Sequence, residues 1–162
     1  MSPSMLTLVG LLASLACTSS AKRSFMVENE AGLTNVYEQV TPTSGRRLLY
    51  SIRDTGTKAD VSADATFVVI RYLDTNQLPD ADLGRRLFSI YRGPRLVRAI
   101  AVRDVLDHVP QYEDVGFTWG VFVGIREDAT FLVESALGER IAFELSTGLP
   151  RYRTKTTSLS EH

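Results

Sequence analysis

The sequence predicts an all-β protein, an antiparallel meander or sandwich of about eight strands with one short helix. Short apolar runs, several of them alternating with polar residues, are separated by the Gly, Asp and Pro residues typical of turns. The run 66–73 is apolar on both faces as far as Ile70, which predicts a strand in the middle of a sheet. Helical spacing is confined to residues 103–109, and Pro110 ends that helix.

Strands are expected over residues 34–40, 46–53, 66–73, 85–92, 96–102 and 117–125, with a final hairpin over 128–148. Residues 22–27 form a tether or a first edge strand, and residues 28–32 form a turn. Residues 54–64, 74–82 and 111–116 are expected to be loops. The loop at 74–82 is rich in oxygen ligands but lacks the calcium-loop pattern, so no metal is expected there. Gly120 and Gly124 indicate a bulge or a close backbone approach.

Short segments recur along the chain. Residues 64–69 and 128–133 agree at five of six positions, with Val68 replaced by Leu132. Residues 45–49 resemble residues 84–88, and residues 138–141 are a looser third copy. Asp can bond its own backbone two residues on, and Gly begins a return strand, so each echo is typical of a hairpin turn. The alternative is chance similarity among hairpins, because the spacings do not form one period.

Length and charge narrow the possible functions. The chain has 162 residues, which predicts a single β-rich domain over residues 22–153 and a flexible tail over 154–162. The net charge is −1, which argues against a nucleic-acid partner. Fifteen of the 18 basic residues are arginines. The planar charged fork of Arg suits carboxylate or phosphate, although GC-rich codon usage explains such a bias equally well.

The N-terminal segment predicts export. Residues 1–21 carry no charged side chain, and the apolar run at 5–16 has the length of a secretory signal but is too short to span a bilayer. The single cysteine, Cys17, ends that run. Residues 15–20 resemble the end of a bacterial lipoprotein signal, with Ser14 in place of the preferred Leu. Cleavage before Cys17 with acylation of its thiol, and removal of the whole segment to residue 21, are both retained as hypotheses.

Residues 87–106 resemble a recurring pattern in uncharacterised secreted bacterial all-β proteins. That pattern begins with a strand, a Gly turn, a second strand and a short helix. A Trp-containing strand follows, and then a hairpin that ends in Thr-Gly, as at Thr147 and Gly148. The final hairpin also resembles half a β-propeller blade. The resemblance covers roughly residues 67–148 and implies no activity. A closed propeller needs at least four blades of about 40 residues, and this chain has room for about three. We therefore expect an open or curled sheet, or a blade-like sandwich.

Candidate binding residues are arginines interleaved with aromatic residues. We predict a partner-binding set of Arg46, Arg47, Arg85, Arg86 and Trp119, suited to a protein or an anionic envelope polymer. We expect no cofactor and no metal, and a membrane contact only through a lipid on Cys17. The function predicted is that of an exported, non-enzymatic binding or structural protein of the cell envelope, periplasmic, lipid-anchored or extracellular.

Two alternatives stay open. A small hydrolase would use the carboxylates of residues 104–114 with His108, whose ring Asp104 and Asp107 could orient. The pattern lacks a nucleophile elbow, and a His at the end of a helix commonly interacts with the helix dipole and solvent. A scaffold subunit of a larger β assembly would elute above the monomer size.

Overall fold

The structure is a computed structural model that describes residues 23–39, 45–73, 77–78, 82–106 and 117–155. These residues are mostly in strands, which confirms the all-β fold class. The strands are β1 (Ser24–Glu30), β2 (Leu33–Gln39), β3 (Arg46–Ile52), β4 (Lys58–Val61), β5 (Phe67–Arg71), β6 (Gln77–Leu78), β7 (Arg86–Arg92), β8 (Arg95–Ala101), β9 (Phe117–Thr118), β10 (Gly120–Ile125), β11 (Thr130–Ser135), β12 (Glu139–Glu144) and β13 (Pro150–Lys155). A short helix, α1, spans Val102–Val105.

The strands form three antiparallel meanders. The first sheet has the order β1-β2-β3, the middle sheet β4-β5-β7-β8 and the last sheet β10-β11-β12-β13. A separate pair joins β6 to β9. Within the described ranges, the three meanders therefore contain eleven strands rather than the eight expected.

Two of the additional strands lie where no strand was expected. β4 falls inside the expected loop at 54–64, and β13 follows the expected final hairpin at 128–148 and reaches two residues into the expected tail at 154–162. Both are edge strands with one partner each, β5 and β12. β4 is short and mixed in polarity, and β13 begins at Pro150 and is exposed throughout, so neither shows the apolar alternation that identifies a half-buried strand.

The middle sheet is covered on both faces. Because side chains alternate along a strand, Val68 and Ile70 of β5 pack toward the first sheet, whereas Val69 packs toward the last sheet. β5 lies between β4 and β7. The prediction of a central strand that is apolar on both faces is confirmed.

Aromatic residues join the middle sheet to the last sheet. Phe88 of β7 is fully buried, and its ring centroid lies 4.9 Å from that of Phe131 and 5.4 Å from that of Phe143. Val36 and Ile52 of the first sheet belong to a second cluster, shared with the other face of the middle sheet. The core is therefore two apolar layers between three stacked sheets.

The repeated Asp turns share a side-chain hydrogen bond and a backbone conformation in two sheets. The turn at Asp64 links β4 to β5, and the turn at Asp128 links β10 to β11. Thr66 donates its hydroxyl to the Asp64 carboxylate at 2.6 Å, and Thr130 donates to Asp128 at 2.7 Å. The alanines between them have φ values of 57° and 58°. Such a left-handed conformation costs a non-glycine residue about 1 kcal/mol, which these hydrogen bonds offset.

The three Gly-led echoes also occupy matching places. Gly45, Gly84 and Gly138 each precede the third strand of their sheet, β3, β7 and β12 respectively. The expected irregularity in β10 is present as well. Its register shifts between Phe122 and Gly124, and a Cβ at Gly120 would lie 2.1 Å from the carbonyl oxygen of Glu134. The blade-like hairpin repeats predicted from the sequence are confirmed.

The helix is shorter than predicted. α1 ends at Val105, and Leu106 is already extended, with φ −117° and ψ 125°. The Asp104 carboxylate accepts the N–H of Ala101 at 2.8 Å, which begins the helix one residue early, at Val102. Val105 and Leu106 are both buried. The rest of the predicted helix, from residue 107 onward, lies outside the described residues.

Candidate functional site

An apolar row crosses the outer face of the first sheet. Met26, Tyr37 and Leu48 are cross-strand neighbours in β1, β2 and β3. Met26 is 36% exposed and Leu48 is 51% exposed. Glu28 and Arg46 lie on the same side of the sheet, two residues from Met26 and Leu48. We call these five residues the first-sheet face.

Arg46 is held across this row. Its guanidinium lies 4.8 Å from the centroid of the Tyr37 ring, and it pairs with the Glu28 carboxylate on the far side. The cation is thus shared between a carboxylate and an aromatic ring, which fixes its position over the row. The result is a surface with an apolar centre and a neutralised charge beside it.

Arg47 lies on the opposite face of the same strand. It pairs with Glu38, whose side chain is almost fully buried, and Arg23 approaches that carboxylate at 3.5 Å. Neighbouring residues of a strand point to opposite faces, so the two predicted arginines of β3 do not act together. Arg47 instead neutralises a carboxylate on the face that packs toward the middle sheet.

Arg86 belongs to a hydrogen-bonded cluster at the start of β7. The hydroxyls of Tyr72 and Tyr91 both donate to Oδ2 of Asp54 at 2.5 Å. Arg86 lies 3.5 Å from the same oxygen and 5.2 Å from the centroid of the Tyr72 ring. Arg85 precedes it and donates its backbone N–H to the carbonyl of Asp82 at 3.1 Å.

The electrostatics of this cluster keep its tyrosines protonated. Burial and the hydrogen bond to Asp54 raise the pKa of Tyr72 and of Tyr91 above the ordinary value. Both hydroxyls therefore act as donors at neutral pH and not as bases or nucleophiles. Asp54 lies in the connection from β3 to β4, so the cluster ties that connection to the middle sheet.

Trp119 lies in the core. It is buried, and its ring centroid is 4.5 Å from that of Phe122. The structure thus separates the predicted set into Arg46 on an outer face, Arg47 on an inner face, Arg85 and Arg86 at the start of β7, and an indole beneath the surface. The prediction that these five residues bind a partner stays a prediction, and only Arg46 lies on an exposed apolar face of the first sheet.

The last sheet carries a second exposed apolar face, which the sequence analysis did not identify. Val121, Val123 and Tyr152 are 52%, 49% and 43% exposed. Glu134 and Arg140 are cross-strand neighbours on this side and pair at 3.2 Å. We call these five residues the last-sheet face. Alternation of Val121 and Val123 with the inward Phe122 was the available signal, but Tyr152 lies beyond the expected final hairpin, where no strand was expected.

Two clefts lie near the Asp turns. One, of about 290 Å³, separates the β4–β5 turn from the β10–β11 turn and is lined by Asp64, Phe67, Glu127 and Leu145 among others. The other, of about 590 Å³, is open and lies beside Tyr152 at the margin of the last-sheet face. The Asp64 and Asp128 carboxylates are both occupied by hydrogen bonds within their own turns.

The hydrolase alternative falls mostly outside the described residues, because His108 and residues 107–116 are among those not described. Asp104 is described, and it already caps α1 and pairs with Arg98 at 3.5 Å.

Cys17, the predicted lipidation site, also lies outside the described residues. Among the described residues, no group of three or more His, Cys, Asp or Glu side chains is placed to hold a metal ion. None of the described helices has the length and apolar character needed to cross a membrane.

Comparison of the chain with models of protein families, with curated proteins and with solved structures found no match.

Proposed function

We propose that the protein is a non-catalytic binding module of the cell envelope that takes a protein partner on the first-sheet face. The observation that carries the proposal is the exposed cross-strand row of Met26, Tyr37 and Leu48 with Arg46 stacked over its centre. Met, Tyr and Arg are the residue types enriched where proteins bind one another. An exposed apolar patch rimmed by polar residues is typical of such a contact.

The charges favour a protein over an anionic polymer. A polyanion is bound by cations whose charge is not already neutralised. Arg46, Arg47 and Arg86 each have a carboxylate partner within the chain. With a net charge of −1, the molecule as a whole supplies no attraction to a polyanion either. The apolar row, in contrast, gains from being covered, at about 25 cal/mol per Å² of apolar surface removed from water.

Export is part of the proposal and rests on residues 1–21 alone. The apolar run followed by small residues supports cleavage of a signal, and Cys17 supports a lipid anchor. Intact-mass analysis of the protein isolated from membranes tests both. We expect a chain shortened at its N-terminus, carrying acyl mass on Cys17. A full-length, unmodified chain would contradict export.

Site-specific photo-crosslinking in living cells tests the binding surface. A photoreactive amino acid replaces Leu48 in one strain and Leu96 of β8, which is 47% exposed, in a control strain. We expect a discrete adduct from position 48 and none from position 96. The proposal fails if position 48 gives no adduct, or if the two positions give the same adducts.

A further inference from the structure

The first and last sheets end the stack, and each leaves one apolar face uncovered. The middle sheet is buried between two apolar clusters, so both of its faces are used within the chain. The first-sheet face and the last-sheet face are the corresponding surfaces with no sheet against them among the described residues. Each combines an apolar row with a cross-strand ion pair.

The three sheets are arranged like the blades of an incomplete propeller. The first strands of the three sheets lie together, with β1 beside β4 and β4 beside β10. From there each sheet runs outward as a meander. Matching Gly-led segments open the third strand in all three sheets. Because each sheet contacts only its neighbours, another sheet that packs on an end face would extend the stack with the same arrangement.

We infer that the partner on the first-sheet face is a second copy of this chain, and that two copies close a ring of six sheets. The inference rests on the proposed function, because it names the occupant of that same face. In the ring, the last-sheet face of each copy covers the first-sheet face of the other, so both contacts are identical and no end face stays open.

The number of copies follows from the blade count. Closed propellers have four to eight blades in most cases. The described residues of each chain form three meander sheets besides the β6–β9 pair, and six is the one multiple of three within that range. Two copies therefore close the ring, whereas one copy leaves it open and three copies exceed it.

The charges of the two faces permit this contact. Burying an ion is costly unless it is paired and hydrogen-bonded. Glu28 already pairs with Arg46, and Glu134 already pairs with Arg140, so neither face presents an unpaired charge at its centre. Met26, Leu48 and Val121 can then be buried between copies without stranding an ion.

Sedimentation equilibrium of the protein, with its mass measured on the same sample, tests the ring. The sequence has a mass of 17.9 kDa, and we expect particles of twice the chain mass. Leu48→Lys places a charge on the first-sheet face, and Val121→Lys places one on the last-sheet face. Each change alone should halve the sedimenting mass. The control, Leu96→Lys, alters a leucine of similar exposure on β8 and should leave the mass doubled.

Circular dichroism of each variant establishes that it is folded. A mixture of the two single variants retains one unaltered pair of faces, so it should recover particles of two chains. The inference is overturned if the unaltered protein sediments as one chain, or as more than two. It is also overturned if Val121→Lys stays doubled while Leu48→Lys does not, because first-sheet faces would then bind each other.

These outcomes are distinct from failure of the proposed function. A protein that sediments as one chain, yet gives an adduct of another protein from position 48, loses the second copy and keeps the binding module. A protein that sediments as one chain and gives no adduct loses both.

Discussion

Replacement of Phe88 tests the stacking of the middle sheet on the last sheet. The ring is fully buried and lies 5.8 Å, 4.9 Å and 5.4 Å, between centroids, from the rings of Phe122, Phe131 and Phe143. A phenylalanine side chain buries at least about 150 Å², which at about 25 cal/mol per Å² is worth about 4 kcal/mol. Phe-to-Ala changes in protein cores cost about 3–5 kcal/mol. We therefore expect Phe88→Ala to lower the free energy of unfolding by about 4 kcal/mol.

Urea unfolding at one fixed protein concentration measures the change, because association adds to apparent stability. The matched control is Leu96→Ala, which removes an exposed side chain and should cost less than about 0.5 kcal/mol. A double-mutant cycle with Phe131→Ala should show a coupling of about 0.5–1.5 kcal/mol between the two rings. A loss below about 1 kcal/mol for Phe88→Ala would show that this ring does not join the two sheets.

Three further predictions concern hydrogen-bonded side chains. Asp54→Asn weakens two charge-assisted hydrogen bonds at once, so it should destabilise the fold more than Tyr91→Phe, which removes one of them. Equal urea midpoints for the two variants would contradict the inference that both tyrosines donate to Asp54. Hydrogen bonds from Ser62 and Thr66 lower the pKa of Asp64 from 3.8 to about 2, so its stabilisation is present above pH 3.8 and is lost as pH falls through 2. Asp64→Ala should thus cost stability at pH 7 and cost little at pH 2, in urea unfolding at the two pH values. Burial raises the pKa of Tyr50 from 10.0 to about 12, so its contribution is intact below pH 10 and falls as pH rises toward 12. Tyr50→Phe removes the 2.6 Å bond to the Ala65 carbonyl and should flatten the alkaline loss of stability followed by circular dichroism; an unchanged alkaline profile would refute this.

Local patterns in the sequence were sufficient to predict the elements whose structure depends on nearby residues alone. The Asp turns form because each carboxylate bonds groups two residues away, an interaction that the order of residues alone determines. β5 is identified by its composition, since an unbroken apolar run must be covered on both sides. β4 and β13 have no comparable signal. They are strands because a neighbouring strand offers an unpaired edge, and that depends on the sheet and not on their own residues.

The candidate binding residues show the same limit of local patterns. Sequence reasoning placed Arg46 and Arg47 in one binding set, but a strand sends adjacent side chains to opposite faces. It also placed Trp119 with the arginines, whereas the stack of sheets buries the indole. The last-sheet face depends on β13 and on which side of β10 faces outward. The pairing of β13 is a property of the assembled sheet, so the alternation of Val121 and Val123 about Phe122 was not enough to identify this face.

The two Asp turns show how one sequence motif can serve two different surroundings. Val61 pairs with Val68 across the first turn, whereas Ile125 pairs with Phe131 across the second, so the second turn is one residue shorter. A shift of one residue sends every side chain of a strand to the other face. Val69 therefore points from the middle sheet toward the last, and its counterpart Val133 points back toward the middle sheet. The same shift turns Glu134 outward, where it pairs with Arg140. The shorter turn thus sets which face of β11 meets the core, and the register shift between Phe122 and Gly124 turns Val121 of β10 to the same outer side as Glu134.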